Sequence, residues 1–426
     1  MIIHVVQAGE TIDTIAQKYE KSVESIIQDN ELVNPYNLAI GQAIVIVYPK
    51  VVYTIQEGDT LEGIANTYNV SILQLYRNNP FLADREFIFP GETIVISYDD
   101  APKPDITTNG YAFPYINRST LRKTLPFLTY LSIFSYSISA EGELNVIDDT
   151  EIINLAKAYG VAPIMVISNI TETGVANYGI LHSLLNDQEK VDLLTDNVLN
   201  ILKSKGYYGV NIDIPNVPPE DTQVFHDIIS EISDRLHSEN YKIFITITPV
   251  TFEAYSEASH QIPDFTAIGE KVDGVNLLSY SWGRSYNVPI EIIPFYVFRF
   301  LLNLNNKSGV LGKTTIGIST IGYIAEIPII EGVSSAISIT DTNAVILASD
   351  SGSTIYYNQI NQTSYFYLFN YNNNYFIYFN DARGIDARTQ LVPEYGLNGI
   401  TIWNIMNYFA QMFLVINTQY SIIKVL

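Results

Sequence analysis

A carboxylate near the end of a β-rich run, with a proline two residues beyond it, is the first place in this sequence to look for chemistry. The run reads Gly209-Val210-Asn211-Ile212-Asp213-Ile214-Pro215, and Pro218-Pro219-Glu220-Asp221 follow shortly after. Side chains alternate along a strand, so Asp213 and position 215 project from one face. A carboxylate such as Asp213 accepts hydrogen bonds and exchanges a proton. Pro215 has no ionisable group and no N–H, so it does neither. Glu220 lies five residues past Pro215, roughly 16 Å along an extended chain. Glu220 and Asp221 also suit a helix start, and neither is expected to replace an acid at position 215. Metal and thiol chemistry find no support: the chain has no cysteine, and its five histidines are scattered without metal-ligand spacing. No metal or cofactor is expected.

Eight β-rich runs alternate with helical stretches from Asn109 onward: Gly110–Tyr115, Leu128–Tyr136, Ala162–Asn169, Gly209–Ile214, Lys242–Val250, Gly274–Ser281, Lys313–Thr320 and Gly399–Ile405. Between the fourth and fifth, Phe225, Ile228, Ile229, Ile232 and Leu236 share one face of an amphipathic helix. Eight such units predict an α/β fold, a (β/α)8 TIM barrel whose site lies at the C-terminal ends of the strands. That puts Asp213 at the mouth. The stretch from about 324 to 392 is too long for one crossover, and its TSYFYLFNYNNNYFIYFN segment reads as a hairpin turning at Asn372–Asn374. It is expected to be an inserted α+β subdomain.

The first hundred residues repeat themselves. VVQAGETIDTIAQKYEKSVESIIQDN from Val5 matches TIQEGDTLEGIANTYNVSILQLYRNN from Thr54, aligning Gly9 with Gly58, Ala16 with Ala65, Tyr19 with Tyr68 and Asn30 with Asn79. GQAIVIVYP from Gly41 likewise matches GETIVISY from Gly91. Each unit reads strand, helix, helix, strand. The pattern resembles the LysM module, a βααβ fold that binds N-acetylglucosamine-containing glycans such as peptidoglycan and chitin. By that resemblance a sugar groove lies between the loop after the first strand (Gly9, Glu10, Thr11; Gly58, Asp59, Thr60) and the loop before the second, with Asn30 and Asn79 as further candidates. The threonines and acids in these loops equally suit turns and N-caps. The division expected is module one at 1–49, module two at 50–98, a polar, proline-bearing linker at 99–108, and the barrel at 109–426.

The chain has 426 residues, 47% of them hydrophobic and 16% charged, with a net charge of −22. Such a balance excludes disorder as the general state and disfavours nucleic acid and anionic membrane surfaces as partners. No stretch approaches the roughly 18 apolar residues of a membrane span. The first residues lack a basic and apolar leader, so synthesis in the cytosol without a signal peptide is expected.

The fourth run, together with LTYLSIFSYSI from Leu128, GVAPIMVISNI from Gly160, GVNLLSYSWG from Gly274, YFNDARGIDAR from Tyr378 and LNGITIWNIM from Leu397, resembles glycoside hydrolase family 18. The resemblance is narrower still to the LysM-bearing branch that degrades spore cortex peptidoglycan. It implies a fourth strand ending Asp-x-Glu, in which the Glu protonates the glycosidic oxygen, the Asp orients the substrate's acetamide, and the substrate's own carbonyl attacks. That scheme departs from the two-carboxylate one. Here the Asp is Asp213 and the Glu position is Pro215. Loss of a general acid alone removes about 10²–10⁴-fold of rate. The resemblance also implies a carboxylate after Tyr280, where Ser281 stands, and Gly-Tyr-Asp-Trp where Gly322-Tyr323-Ile324-Ala325 stands. Asp213, Tyr280, Trp282 and Trp403 remain, and the eighth-strand Trp403 is implied as the floor of a sugar subsite; packing in the barrel core is the plainer role for it.

Three functional readings follow. The first is a non-catalytic spore-envelope protein that binds N-acetylglucosamine-containing glycan through its LysM modules. The second is an active N-acetylglucosaminidase of cortex peptidoglycan with an unusual acid. The third is a self-assembling coat, exosporium or appendage protein, with itself or other coat proteins as partners. The last rests on 31 tyrosines and on the aromatic hairpin offering an exposed β-edge.

Overall fold

The computed structural model describes residues 1–85, 87–98, 103–170, 177–214, 217, 221–248, 266–278, 295–306, 309–328, 336–369 and 373–426. Each half of the N-terminal repeat folds as expected. Module one contains β1 (Ile2–Val5), α1 (Ile12–Lys18), α2 (Val23–Asn30) and β2 (Ala43–Ile46). Module two contains β3 (Val51–Thr54), α3 (Leu61–Tyr68), α4 (Ile72–Asn78) and β4 (Thr93–Ser97). The strands of each pair are antiparallel. All four helices start on a hydroxyl cap: Thr11, Ser22, Thr60 and Ser71 accept from the backbone N–H three residues on, each worth about 1 kcal/mol. Ile12, Ile15, Ala16 and Ile26 pack on β2 residues Ile44 and Ile46, and Ile64, Ala65 and Leu75 pack on Ile94 and Ile96.

Seven parallel strands follow in sequence order: β5 (Asp105–Ala112), β6 (Tyr130–Ser137), β7 (Ala162–Ser168), β8 (Gly209–Asp213), β9 (Lys242–Ile247), β10 (Gly274–Leu277) and β11 (Thr314–Ser319). The helices between them are α5 (Arg118–Thr124), α6 (Thr150–Ala158), α7 (Tyr178–Leu185), α8 (Gln188–Lys205), α9 (Thr222–Ser238), α10 (Thr266–Lys271) and α11 (Phe295–Asn305). In α9 the predicted face is the buried one, with Phe225, Ile229, Ile232 and Leu236 turned inward.

The insertion after β11 is a five-stranded antiparallel sheet with one helix: β12 (Ile321–Ile327), β13 (Ala336–Thr340), α12 (Asp341–Ser351), β14 (Tyr356–Asn358), β15 (Thr363–Phe369) and β16 (Asn374–Phe379), in the order β13-β12-β16-β15-β14. The chain then forms α13 (Ala382–Thr389), α14 (Leu391–Tyr395), the eighth barrel strand β17 (Gly399–Trp403), α15 (Ala410–Gln419) and β18 (Ser421–Ile422). Pairing of β17 with both β11 and β5 closes the barrel.

Two boundaries differ from the sequence expectation. The first strand starts at Asp105, inside the segment read as linker, and Ile106 to Ala112 are buried. Proline and threonine there suggested a solvated connection. Thr108 instead shares its backbone N–H with Thr129 Oγ1 (3.0 Å) and gives its hydroxyl to the Phe127 carbonyl (2.5 Å), and β-branched residues suit a strand. The inserted sheet spans Ile321–Phe379 rather than 324–392, because α13 and α14 return to the barrel core through Ala382, Ile385, Leu391 and Val392. The aromatic hairpin is an edge only in part: β16 is flanked by β12 and β15, and β14 covers β15 from Thr363 to Tyr365, while among the described residues no strand pairs with residues 366–369 on that side. Residues 370–372 of its turn lie outside the described residues.

Candidate functional site

Inward-facing positions of the barrel strands carry a connected polar layer. Tyr111 Oη and Thr246 Oγ1 are hydrogen-bonded at 2.7 Å, and Asn211 Nδ2 donates to both, at 3.1 and 2.8 Å. Asn276 Nδ2 donates to Asn211 Oδ1 at 3.2 Å, and Asn276 Oδ1 accepts from Thr315 Oγ1 (2.9 Å) and Thr401 Oγ1 (3.0 Å). Burial, and after it the nearby Asp213 charge, holds the Tyr111 phenol protonated far above its ordinary range. Toward the C-terminal ends of the strands the next layer is apolar, with Trp403 packed among Tyr111, Phe134, Val166, Ile170 and Leu278. Its ring lies 5.2 Å from that of Tyr111 and 5.4 Å, edge on, from that of Phe134.

Asp213 stands at the end of β8, two residues above Asn211 on the same face, and is fully buried. Among the described residues neither carboxylate oxygen has a hydrogen-bond partner. Burial alone pushes its pKa up to about 7, since a low-dielectric setting disfavours the charged form. Pro215 lies outside the described residues, as do Glu220, Tyr280, Ser281 and Trp282. Asp221 is described: it starts the α9 segment with its carboxylate 3.8 Å from His182 on α7. Ile324 packs into the core of the inserted subdomain, and Ala325 is buried beside it. Trp403 is 2% exposed, with its ring packed on Tyr111 and Phe134.

In the modules the candidate loop residues serve the turns. Gly9 and Gly58 adopt φ of +84° and +88°, a region open to glycine at little cost. Glu10 accepts from Gln7 N (2.8 Å) and sits 2.9 Å from His4 Nε2, with Lys18 at 3.4 Å. The Gln7 N–H, and then His4 and Lys18, hold its carboxyl below the usual range. Asp59 repeats the arrangement, accepting from Gln56 N and Tyr53 Oη, each at 2.7 Å. Thr11 and Thr60 are the N-caps described above.

Asn30 and Asn79 require a correction. They were expected in the groove but are 6% and 2% exposed. Asn30 Nδ2 donates to Ile26 O and Val45 O while its Oδ1 accepts from Val45 N; Asn79 makes the same three bonds to Leu75 O, Val95 O and Val95 N. Each amide splices the second helix to the second strand, which explains its place in the repeat without a ligand. The residues missed from sequence are Asn211, Thr246, Asn276 and Thr315; their signal was a polar residue at alternate positions of otherwise apolar barrel runs.

Among the described residues no cluster of His, Asp or Glu could hold a metal ion, and no helix is long and apolar enough to cross a membrane.

An eight-stranded parallel barrel with a carboxylate at the mouth, a subdomain between its seventh and eighth strands, and two βααβ modules ahead of it defines a modular TIM-barrel protein. The chain belongs to the glycosyl hydrolases family 18, which matches residues 127–407, and LysM domains match residues 4–47 and 53–97. It is similar to the cortical fragment-lytic enzyme of Bacillus subtilis (strain 168), 29% identical over 100% of this chain and 99% of that protein. Among solved structures it is similar to the spore cortex-lytic enzyme SleL of Bacillus megaterium QM B1551, at 25% identity and a TM-score of 0.80 over 100% of this chain and 99% of that one. The Bacillus cereus SleL structure gives 27% identity and a TM-score of 0.78, covering 99% of each.

Proposed function

We propose that this chain is a non-hydrolysing member of family 18 that binds N-acetylglucosamine-containing glycan, with peptidoglycan of the spore envelope as its ligand. The LysM modules supply the anchor and the barrel acts as a binding or structural body. The observation that carries the reading is Asp213, fully buried, with both oxygens unpartnered among the described residues, two residues before a proline. A carboxyl that is to orient an acetamide and tune an acid needs a neighbour to share a proton with. At position 215 the side chain can neither give nor take one.

The end-to-end likeness to proteins named as lytic enzymes favours a second reading, an active N-acetylglucosaminidase. It requires a carboxylic acid within hydrogen-bond reach of Asp213, and Asp221 faces His182 instead. Co-sedimentation with insoluble spore peptidoglycan, followed by analysis of the supernatant for released sugar, separates the two. Binding without soluble product supports the proposal; loss of insoluble material to soluble fragments supports the alternative; failure to sediment removes the glycan-binding claim.

A further inference from the structure

The two modules share a fold but not a surface. Their second loops are equivalent bond for bond: Gly41 N donates to Val6 O as Gly91 N does to Ile55 O, and Gln42 N donates to Ala39 O as Glu92 N does to Phe89 O. The Ala39 N–H is capped by Gln42 Oε1 and the Phe89 N–H by Glu92 Oε2. Ala39 therefore corresponds to Phe89, Asn37 to Phe87 and Gly41 to Gly91.

In module one this loop is occupied by the rest of the protein. Ala39 is 4% exposed and belongs to the core of the inserted subdomain with Ala344, Ala348, Ile355 and Phe366. The Asn37 carbonyl accepts from Ser349 Oγ, its Nδ2 reaches Ser349 O (3.4 Å), and Asn34 reaches Asp350 (3.2 Å). Ile355 N donates to Ile40 O at 2.8 Å, and Arg383 Nη2 to Gly41 O at 3.1 Å. A Cβ on Gly41 would lie 1.8 Å from the Ile355 carbonyl oxygen, whereas one on Gly91 would meet nothing within 4 Å. The outer face of β2 is buried too: Ala43, Val45 and Val47 join the barrel core, and Gln411 on α15 donates to Ala43 O and Asn30 Oδ1.

In module two the same loop faces solvent. Phe87 is 66% and Phe89 56% exposed, although module two also rests on the barrel, through Arg77 to Pro126 O and Asn78 to Asn417. Phe87 and Phe89 place two exposed aromatic side chains on one loop, and grouped apolar surface marks interaction sites. The two rings lie on the loop before the second strand of a module that matches the LysM domain, where that resemblance implies one wall of a sugar groove. The apolar face of a pyranose and its acetamide methyl suit aromatic surfaces, which dominate small-ligand sites. A net charge of −22 favours a neutral glycan over an anionic ligand.

We infer that the modules have divided the work: module two, through Phe87 and Phe89, is the one that holds N-acetylglucosamine-containing glycan, and module one is a brace that fixes the inserted subdomain to the barrel. This rests on the glycan-binding reading above. The test uses the full chain and a soluble N-acetylglucosamine pentamer, with affinity read by calorimetry and stability by urea midpoint. The paired variant Phe87→Ala/Phe89→Ala is expected to bind at least about tenfold more weakly with an unchanged midpoint. Tyr36→Ala, at the exposed tip of the module-one loop, is expected to stay within about twofold of the parent. Ala39→Arg is expected to lower the midpoint, and Phe89→Arg to leave it in place. Full affinity in the paired Phe variant, or loss of binding in Tyr36→Ala, overturns the division while leaving LysM binding intact. A parent that binds no pentamer overturns both. An unchanged midpoint in Ala39→Arg removes the brace.

Discussion

Replacing Asp213 by Asn should stabilise the protein at alkaline pH and lose that benefit in acid. The carboxyl is fully buried, without a hydrogen-bond partner among the described residues, and burial moves its pKa from the ordinary 3.8 to about 7. The folded state thus holds a proton that the unfolded chain releases between those values, so stability falls as pH rises from about 4 to about 7. Above pH 7 both states are ionised and the full destabilisation is present; below pH 4 both are protonated and it vanishes. The pKa gap corresponds to ~4 kcal/mol, of which ~1 kcal/mol already acts at pH 4.5. An amide removes the charge but keeps an unpartnered buried polar group, which costs about 1–3 kcal/mol at any pH. The pH-dependent part is therefore the clean quantity. The stability of Asp213→Asn minus that of the parent should be about 3 kcal/mol more favourable at pH 8 than at pH 4.5. Urea unfolding at both pH values measures it. Working with the difference cancels the slopes of Asp29, pushed up to about 6, and Lys424, pushed down to about 7, both by burial. An Asp213→Asn effect of equal size at both pH values would falsify the isolation of the carboxyl.

Other perturbations reach the fold and the modules. Asn30→Ala and Asn79→Ala should each destabilise by about 2 kcal/mol, because two backbone carbonyls and one N–H lose their partner; chemical denaturation checks the size, and glycan affinity should persist in whatever folds. Asp149→Ala removes the buried carboxylate that accepts from Tyr136 and Tyr207 and pairs with Lys205 at 2.6 Å, so unfolding should become easier by about 3–5 kcal/mol. Thr60→Ala deletes the α3 cap and should cost about 1 kcal/mol, read as a lower urea midpoint.

The repeat and the barrel were legible because both rest on local periodicity. The helix faces around Ile12 and Phe225 and the eight apolar runs encode their burial directly. The start of β5 was hidden because Thr107 and Thr108 are polar by composition yet buried, their hydroxyls satisfied by the backbone carbonyls of Asn398 and Phe127, distant in sequence. Asn30 and Asn79 misled for a related reason: a residue repeated in a binding module suggests a ligand, but a buried side-chain amide that serves three backbone groups repeats just as faithfully. The polar layer around Asn211 and Asn276 was visible only as breaks in apolar alternation, and which hydroxyl meets which amide depends on barrel closure. Docking of module one on the inserted subdomain joins residues some three hundred positions apart, such as Asn37 and Ser349. The trace it leaves in the sequence is the contrast of Asn37 and Ala39 with Phe87 and Phe89.

The central claim is that the barrel binds or supports glycan without cutting it, and digestion tests this most directly. The purified full chain is incubated with spore cortex peptidoglycan and its muramic-lactam fragments, beside a Pro215→Glu variant, and products are read by mass spectrometry. No released N-acetylglucosamine from the parent is the expected result, and product from Pro215→Glu would add that the cleft is otherwise preserved. Release by the parent would contradict the claim and require an acid other than one at position 215.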